Sequence, residues 1–142
     1  MEGRILAVDL GEKNIGLALS DPSGLIASPK GIIKHISGTI DAAQIAQIAS
    51  DNSVKKIIVG IPENEEETES RQKRHVMKFV TILQEQCTLP IITWDESLST
   101  NRAQNIRREM QVTRKKRSGH LDDLAAAVIL QSYLDSEDAK AK

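Results

Sequence analysis

Aromatic side chains are almost missing from this chain: its 142 residues include one Phe, one Trp and one Tyr. That disfavours a single-strand RNA binder that stacks bases on aromatic platforms. It also leaves the core to Ile, Leu, Val and Ala, which suits strands buried between helices. Cysteine is as scarce. The lone Cys87 excludes an intramolecular disulfide and a cysteine-rich metal site, agrees with a reducing compartment, and reads as a packing residue near a helix end. No apolar stretch approaches the ~20 residues of a membrane span, and no signal peptide precedes the first strand, so a soluble, cytoplasmic protein is expected. Charge of one sign is not in excess either. The net charge is −1, and the information lies in the patterning: acids crowd residues 63–69, while bases crowd Arg107, Arg108 and the run Arg114-Lys-Lys-Arg117.

What is present is ordinary globular material, with 39% hydrophobic and 27% charged residues. There is no repeat and no linker, so one domain over 1–135 is expected, followed by a tail at 136–142 that lacks apolar anchors and should fray. Three strands are expected at 4–9, 14–20 and 25–35, joined by the hairpin-length turns Gly11-Glu-Lys13 and Asp21-Pro-Ser-Gly24. Pro29 fits only an edge strand or a bulge. A helix near 40–51 carries Ile40, Ala43, Ile45, Ala46, Ile48 and Ala49 on its apolar side. The strand 56–61 is stopped by Pro62, and the helix 68–87 repeats Val76, Phe79, Val80 and Leu83 at helical spacing. A strand at 91–96, a helix from Ser99 to Met110, a basic loop to Gly119 and a last helix at 120–135 complete the chain. The order β-β-β-α-β-α-β-α-α describes an α/β fold of the ribonuclease H-like plan. Its sheet would be five-stranded and mixed, with the first three strands antiparallel and helices flanking it.

Three acids stand at element ends. Asp9 finishes the apolar run Arg4-Ile-Leu-Ala-Val-Asp9, Glu96 finishes Ile91-Ile-Thr-Trp-Asp-Glu96, and Asp122 opens the helix Leu121-Asp-Asp-Leu-Ala-Ala-Ala-Val-Ile-Leu130. A carboxylate at the end of a buried strand is costly without a cation or a hydrogen-bond partner. Acids far apart in sequence but alike in placement suggest a convergent metal site for phosphodiester chemistry. Each acid taken alone also fits a helix cap or a paired charge.

The blocks Asp9-Leu-Gly-Glu-Lys-Asn-Ile-Gly-Leu-Ala18, Ser20-Asp-Pro22, Val59-Gly-Ile-Pro62, Asp95-Glu-Ser-Leu-Ser-Thr100, Arg114-Lys-Lys-Arg117 and Asp122-Asp-Leu-Ala-Ala-Ala-Val-Ile-Leu-Gln-Ser-Tyr-Leu-Asp135 follow one another over nearly the whole chain. In that combination the sequence resembles the YqgF family, Holliday-junction-resolvase-like proteins associated with pre-16S rRNA cleavage. The resemblance implies metal-binding, catalytic acids at Asp9, Glu96 and Asp122. It further implies Mg²⁺ as cofactor, with Mn²⁺ expected to substitute, and precursor 16S rRNA or the small ribosomal subunit as partner. Three positions depart from the family pattern: Ser97 stands where Arg is usual, the loop 63–67 has acids where a Gly is usual, and Asp123 is acidic.

Other features have two readings. Asp122 and Asp123 are about 100° apart on a helix, so only one faces the site. Asp122 shares a face with Ala125, Ala126 and Ile129, and Asp123 suits the helix dipole. His120 reads as an N-terminal-turn residue or a proton donor. Gly11 and Gly16 permit a tight turn that brings backbone N–H groups near phosphate, with Lys13 as a point charge, or Gly16 marks close packing. Thr100 and Ser99 are phosphate contacts or helix caps. Arg114, Lys115, Lys116 and Arg117 form a phosphate clamp near Asp122, or a solvated loop. Structured RNA is the expected substrate. The competing readings are a Holliday-junction DNA endonuclease using the same triad, an ATPase of the actin type (for which the chain is too short), and a non-catalytic RNA-binding or ribosome-assembly module. A junction resolvase would favour a homodimer, whereas an rRNA trimmer could act as a monomer.

Overall fold

The computed structural model describes residues 3–62, 67–95 and 121–141. The described elements are β1 (Arg4–Leu10), β2 (Asn14–Ser20), β3 (Ala27–Lys34), α1 (Gly38–Asp51), β4 (Val54–Ile61), α2 (Glu67–Gln86), β5 (Ile91–Asp95) and α3 (Leu121–Ala141). The strands form one five-stranded sheet in the order β3-β2-β1-β4-β5. β1 and β3 run antiparallel to β2, while β4 is parallel to both β1 and β5. This is the expected mixed sheet with its first three strands antiparallel. The expected helix between Ser99 and Met110 and the basic loop lie outside the described residues.

The strands β1 and β4 read as unbroken apolar runs because both of their faces are covered. Leu6, Val8 and Leu10, opposite Leu19, Leu17 and Ile15 of β2, pack against Ala42, Ile45, Val76, Phe79, Val80 and Leu83 of α1 and α2. The alternate residues Ile5 and Ala7, with Ala18 and Ile58, pack against Ala126, Ala127, Leu130, Tyr133 and Leu134 of α3. Side chains as completely enclosed as Leu6, Ile57, Ile58, Leu83 and Leu130 each contribute roughly 1.5–3 kcal/mol by leaving water. Cys87 sits just past α2, partly buried against the first of these clusters, the packing place its surroundings suggested.

Two details differ from the sequence reading. The buried side of α1 is Asp41, Ala42, Ile45 and Ala49 rather than the six-residue stripe, and Ile40 and Ala43 point to solvent. The stripe mixed two faces because Ala is cheap on either side of a helix. Helix α3 continues through Ala141 instead of stopping near 135, since Ser136-Glu-Asp-Ala-Lys-Ala141 offers neither Gly nor Pro to end it. Pro29 does lie on β3, at the end of the sheet order, and beside a bulge: Leu17 pairs with Gly31 and Ala18 with Pro29, leaving Lys30 without an opposite residue. Gly31 takes φ 122°, which allows the bulge.

Candidate active site at the end of strand β1

Asp9 is the last residue but one of β1 and is half-buried. It follows Ile5 and Ala7 by the two-residue period of a strand, so its side chain leaves the sheet on the face that α3 covers. Its partner across the antiparallel ladder is Gly16, and Gly16 is paired on its other side with Ile32. In the parallel ladder Val8 pairs with Val59, and the next residue of β4, Gly60, pairs with Trp94 of β5. A row of paired positions therefore runs Ile32, Gly16, Asp9, and on β4 Gly60 comes one residue after the partner of Val8. In the β1–β2 ladder no side chain stands opposite Asp9, because its partner there is Gly16. A partly desolvated carboxylate is the kind of oxygen donor that a divalent cation takes.

This placement corrects the reading of Gly16 as a turn residue: it lies inside β2. Gly11 is the turn residue, and its N–H is already committed, donating to the carbonyl of Asn14 at 3.0 Å. A β-carbon at Gly11 would lie 2.6 Å from that carbonyl oxygen, so glycine is needed for turn closure rather than for phosphate approach. Lys13 is exposed in the same turn, and its carbonyl accepts from the N–H of His35 at 2.9 Å. Gln72 of α2 donates to the carbonyl of Leu10 at 3.1 Å, fastening the end of β1 from the other side of the sheet.

Helix α3 is anchored by its second half. Gln131 accepts from the N–H of Ala27 and donates to the carbonyl of Leu25, each at 2.9 Å. Lys56 donates to the Tyr133 hydroxyl at 2.9 Å, and the Trp94 indole donates to Ser132 Oγ at 3.2 Å. Ala27 pairs with Ser20, whose hydroxyl accepts from the N–H of Ile5, so the Gln131 anchor stands at the end of the sheet where β1 begins. Ala126 and Ala127, earlier in the helix, join the cluster that holds Ala7 and Ala18. The small residues Ala7, Ala18, Ala126 and Ala127 let helix and sheet approach closely. Asp123 is half-buried in the first turn of α3. The side chain of Asp122 lies outside the described residues, as do Glu96, Ser97, Thr100, Arg114, Lys115, Lys116, Arg117 and His120. Strand β5 ends at Asp95, directly before Glu96.

Ser20-Asp-Pro22 proves to be scaffold. The Ser20 hydroxyl, buried, ties β2 to Ile5 and donates to the carbonyl of Asp21. The Asp21 carboxylate accepts from the Ser23 hydroxyl and from the N–H groups of Leu25 and Ile26. Those bonds, Ser23 first, then Ile26 and Leu25, hold its carboxyl well below the usual carboxylate range.

One polar cluster was not legible in the sequence. Asp41, in the first turn of α1 and 1% exposed, accepts from the imidazole Nδ1 of His35 and from the N–H of Ile36. The His35 ring in turn stands edge-on to His75 of α2, with centroids 6.5 Å apart. The only sequence signal was an acid just inside a helix capped by Ser37, which also describes a plain dipole charge.

A family model described as "RuvX: Holliday junction resolvase" matches residues 3–136. Among relatives, the "Putative pre-16S rRNA nuclease" of Thermoanaerobacter pseudethanolicus is 45% identical over 138 residues, covering 96% of this chain and 99% of that one. The protein of the same name from Desulforamulus reducens is 44% identical over 133 residues, covering 94% and 97%. Among solved structures, Thermus thermophilus RuvC in complex with Holliday junction substrate superposes with a TM-score of 0.62 at 12% identity, over 95% of this chain and 96% of the other. The fowlpox virus Holliday junction resolvase gives 0.52 at 17% identity, over 94% and 99%. At those identities the structures speak for the fold alone, a resolvase-type ribonuclease H-like sheet. With the family model spanning nearly the whole chain and relatives above 40% identity over full length, the chain belongs to the RuvX family.

Proposed function

We propose that this protein is a metal-dependent nuclease that hydrolyses phosphodiester bonds in structured RNA, trimming the 5′ side of precursor 16S rRNA. The observation that carries the reading is the Asp9 carboxylate near the end of the central strand, with Gly16 opposite it, in a family whose relatives bear that name. Asp9, Glu96 and Asp122 are the proposed ligands and catalytic acids. They are all carboxylates, a hard oxygen donor set suited to Mg²⁺ or Mn²⁺, which leaves coordination positions for water and substrate phosphate. Bound there, two such ions would activate the attacking water and neutralise charge on the leaving oxygen. Asp9 would fix the position of the scissile phosphate, with no side chain at Gly16 to obstruct it. Lys13, Thr100 and the run from Arg114 to Arg117 are proposed phosphate contacts, which add affinity without sequence preference.

The test is cleavage of a labelled 5′-extended 16S precursor by wild type and Asp9→Asn, with Mg²⁺, Mn²⁺ or EDTA. Trimming that needs metal and is lost in the variant is the expected result. Equal RNA binding by both proteins with no cleavage by either would replace the nuclease with a non-catalytic assembly module. The family description favours a second reading, cleavage of a four-way DNA junction by the same acids. A junction run beside the RNA decides between the substrates.

A further inference from the structure

We infer that Trp94 is a positioning residue for the proposed metal site: through Ser132 it holds the end of β5, which leads to Glu96, against α3, which carries Asp122. This rests on the nuclease reading of Asp9, Glu96 and Asp122. It names a side chain outside that triad that governs how tightly the acids hold a divalent ion.

Trp94 is the last residue but one of β5. That strand ends the sheet order and pairs with β4. The ladder partner of Trp94 is Gly60, so a ring on the edge strand meets no opposing side chain on β4 and reaches α3. There the indole N–H donates to Ser132 Oγ at 3.2 Å. The ring also stands edge-on to Tyr133, with centroids 5.2 Å apart and planes at 88°. Tyr133 is buried, and its hydroxyl accepts from Lys56 of β4 at 2.9 Å. Gln131, the residue before Ser132, bonds instead to Leu25 and to Ala27, the first residue of β3. Neighbouring residues within one turn of α3 thus reach the two opposite edges of the sheet, β3 through Gln131 and β5 through Ser132. A helix tied to both edges at one level cannot roll or swing without breaking a bond.

Asp122 precedes Ser132 by roughly three helical turns, about 15 Å at the α-helical rise. A swing of about 10° at the tie therefore moves the first turn of α3 by roughly 2.6 Å, whereas a working site must hold its groups to within about 0.5 Å. Glu96 comes two residues after Trp94 in the sequence. One indole accordingly bears on both acids, on the departure of the chain from β5 toward Glu96 and on the presentation of Asp122 by α3. A phenylalanine ring would bury much of the same surface, but it has no N–H with which to fix the helix. The ring serves packing, and the N–H serves aim.

The experiment is isothermal titration of Mn²⁺ into the full chain without nucleic acid, with urea denaturation of each protein alongside. Wild type is compared with Asp9→Asn, Trp94→Phe, Ser132→Ala, Ser132→Thr and the Trp94→Phe/Ser132→Ala pair. Trp94→Phe and Ser132→Ala are each expected to weaken Mn²⁺ binding about tenfold, the low end for groups that support metal ligands from outside. The double variant should be no weaker than either single one, because both remove the same bond. Ser132→Thr keeps a hydroxyl and should bind like wild type. Ser132→Ala carries the test if Trp94→Phe does not fold, since alanine is the best helix former. Wild-type Mn²⁺ affinity in both single variants, with only the urea midpoint lowered, would make Trp94 a packing residue and overturn the inference. Lost binding in Asp9→Asn would then leave the metal-site reading standing. Ser132→Thr as weak as Ser132→Ala, or additive losses in the double variant, would also overturn it, because the hydrogen bond would not be the cause. If wild type binds no Mn²⁺, the metal site and the inference fall together.

Discussion

Gly16 lies directly opposite Asp9 in the β1–β2 ladder, so the carboxylate at the end of the central strand has no side chain next to it on that strand. Valine suits a strand better than glycine, yet placed at 16 it would stand on the Asp9 face. Gly16→Val is therefore expected to cost about 1–3 kcal/mol as an overpacked buried position, and to reduce cleavage more than tenfold in protein that is still folded. Melting curves run beside cleavage rates on the same sample check this. Full activity in the variant would show that the glycine serves packing alone.

Asp9→Asn keeps size and shape but gives up the charge. The expected loss of metal-dependent cleavage exceeds the 10–100-fold typical of groups that only support a metal ligand, and raising Mn²⁺ should recover part of it. Isothermal titration of Mn²⁺ into wild type and variant gives a readout independent of turnover. Equal metal binding by the two would remove Asp9 from the ligand set.

Asp21 gives a pH dependence with a definite sign. Its folded-state carboxyl is held down by the Ser23 hydroxyl and then by the Ile26 and Leu25 N–H groups. The stabilisation is accordingly present above the ordinary carboxylate value of about 3.9 and is lost as pH falls below it toward the lower folded-state value. Asp21→Asn should melt below wild type at pH 7, and the gap should close between about pH 4 and the acid limit of the fold. A gap that stays constant across that range would contradict the assignment.

Leu130 is fully enclosed between α3 and the sheet. Leu130→Ala is expected to cost about 2–5 kcal/mol, and to lower nuclease activity at temperatures well below its melting point, because α3 carries Asp122, a proposed metal ligand. Urea denaturation and cleavage assays at 25 °C test the two parts. Lost stability with unchanged cleavage would mean that the seat of α3 does not govern the site.

The sheet was legible in the sequence because its signals are local. Four residues or more of Ile, Val, Leu and Ala between Gly- and Pro-bearing turns can form little but a buried strand, and a turn as short as Gly11-Glu-Lys13 leaves only an antiparallel return. That logic gave β1, β2, β4 and β5, and placed a carboxylate near the end of β1. It failed on α1, where Ile40 and Ala43 fit the helical period but face water, and on the end of α3, which no residue marks.

Pairings between distant residues belong to tertiary structure alone. Nothing local in Asn14-Ile-Gly-Leu-Ala-Leu-Ser20 says that Gly16 will sit beside Asp9. Strand register decides that, and one residue of slip would put Leu17 or Ile15 there instead. Nor could the sequence join His35 to Asp41 and set that pair against His75, since these come from a strand end and two helices that meet only when α1 and α2 pack on the same face of the sheet. The amino-acid order determined which elements form and which acid ends the central strand. The surroundings of that acid were decided by the fold, because ladder register and helix docking are set by burying the whole core at once.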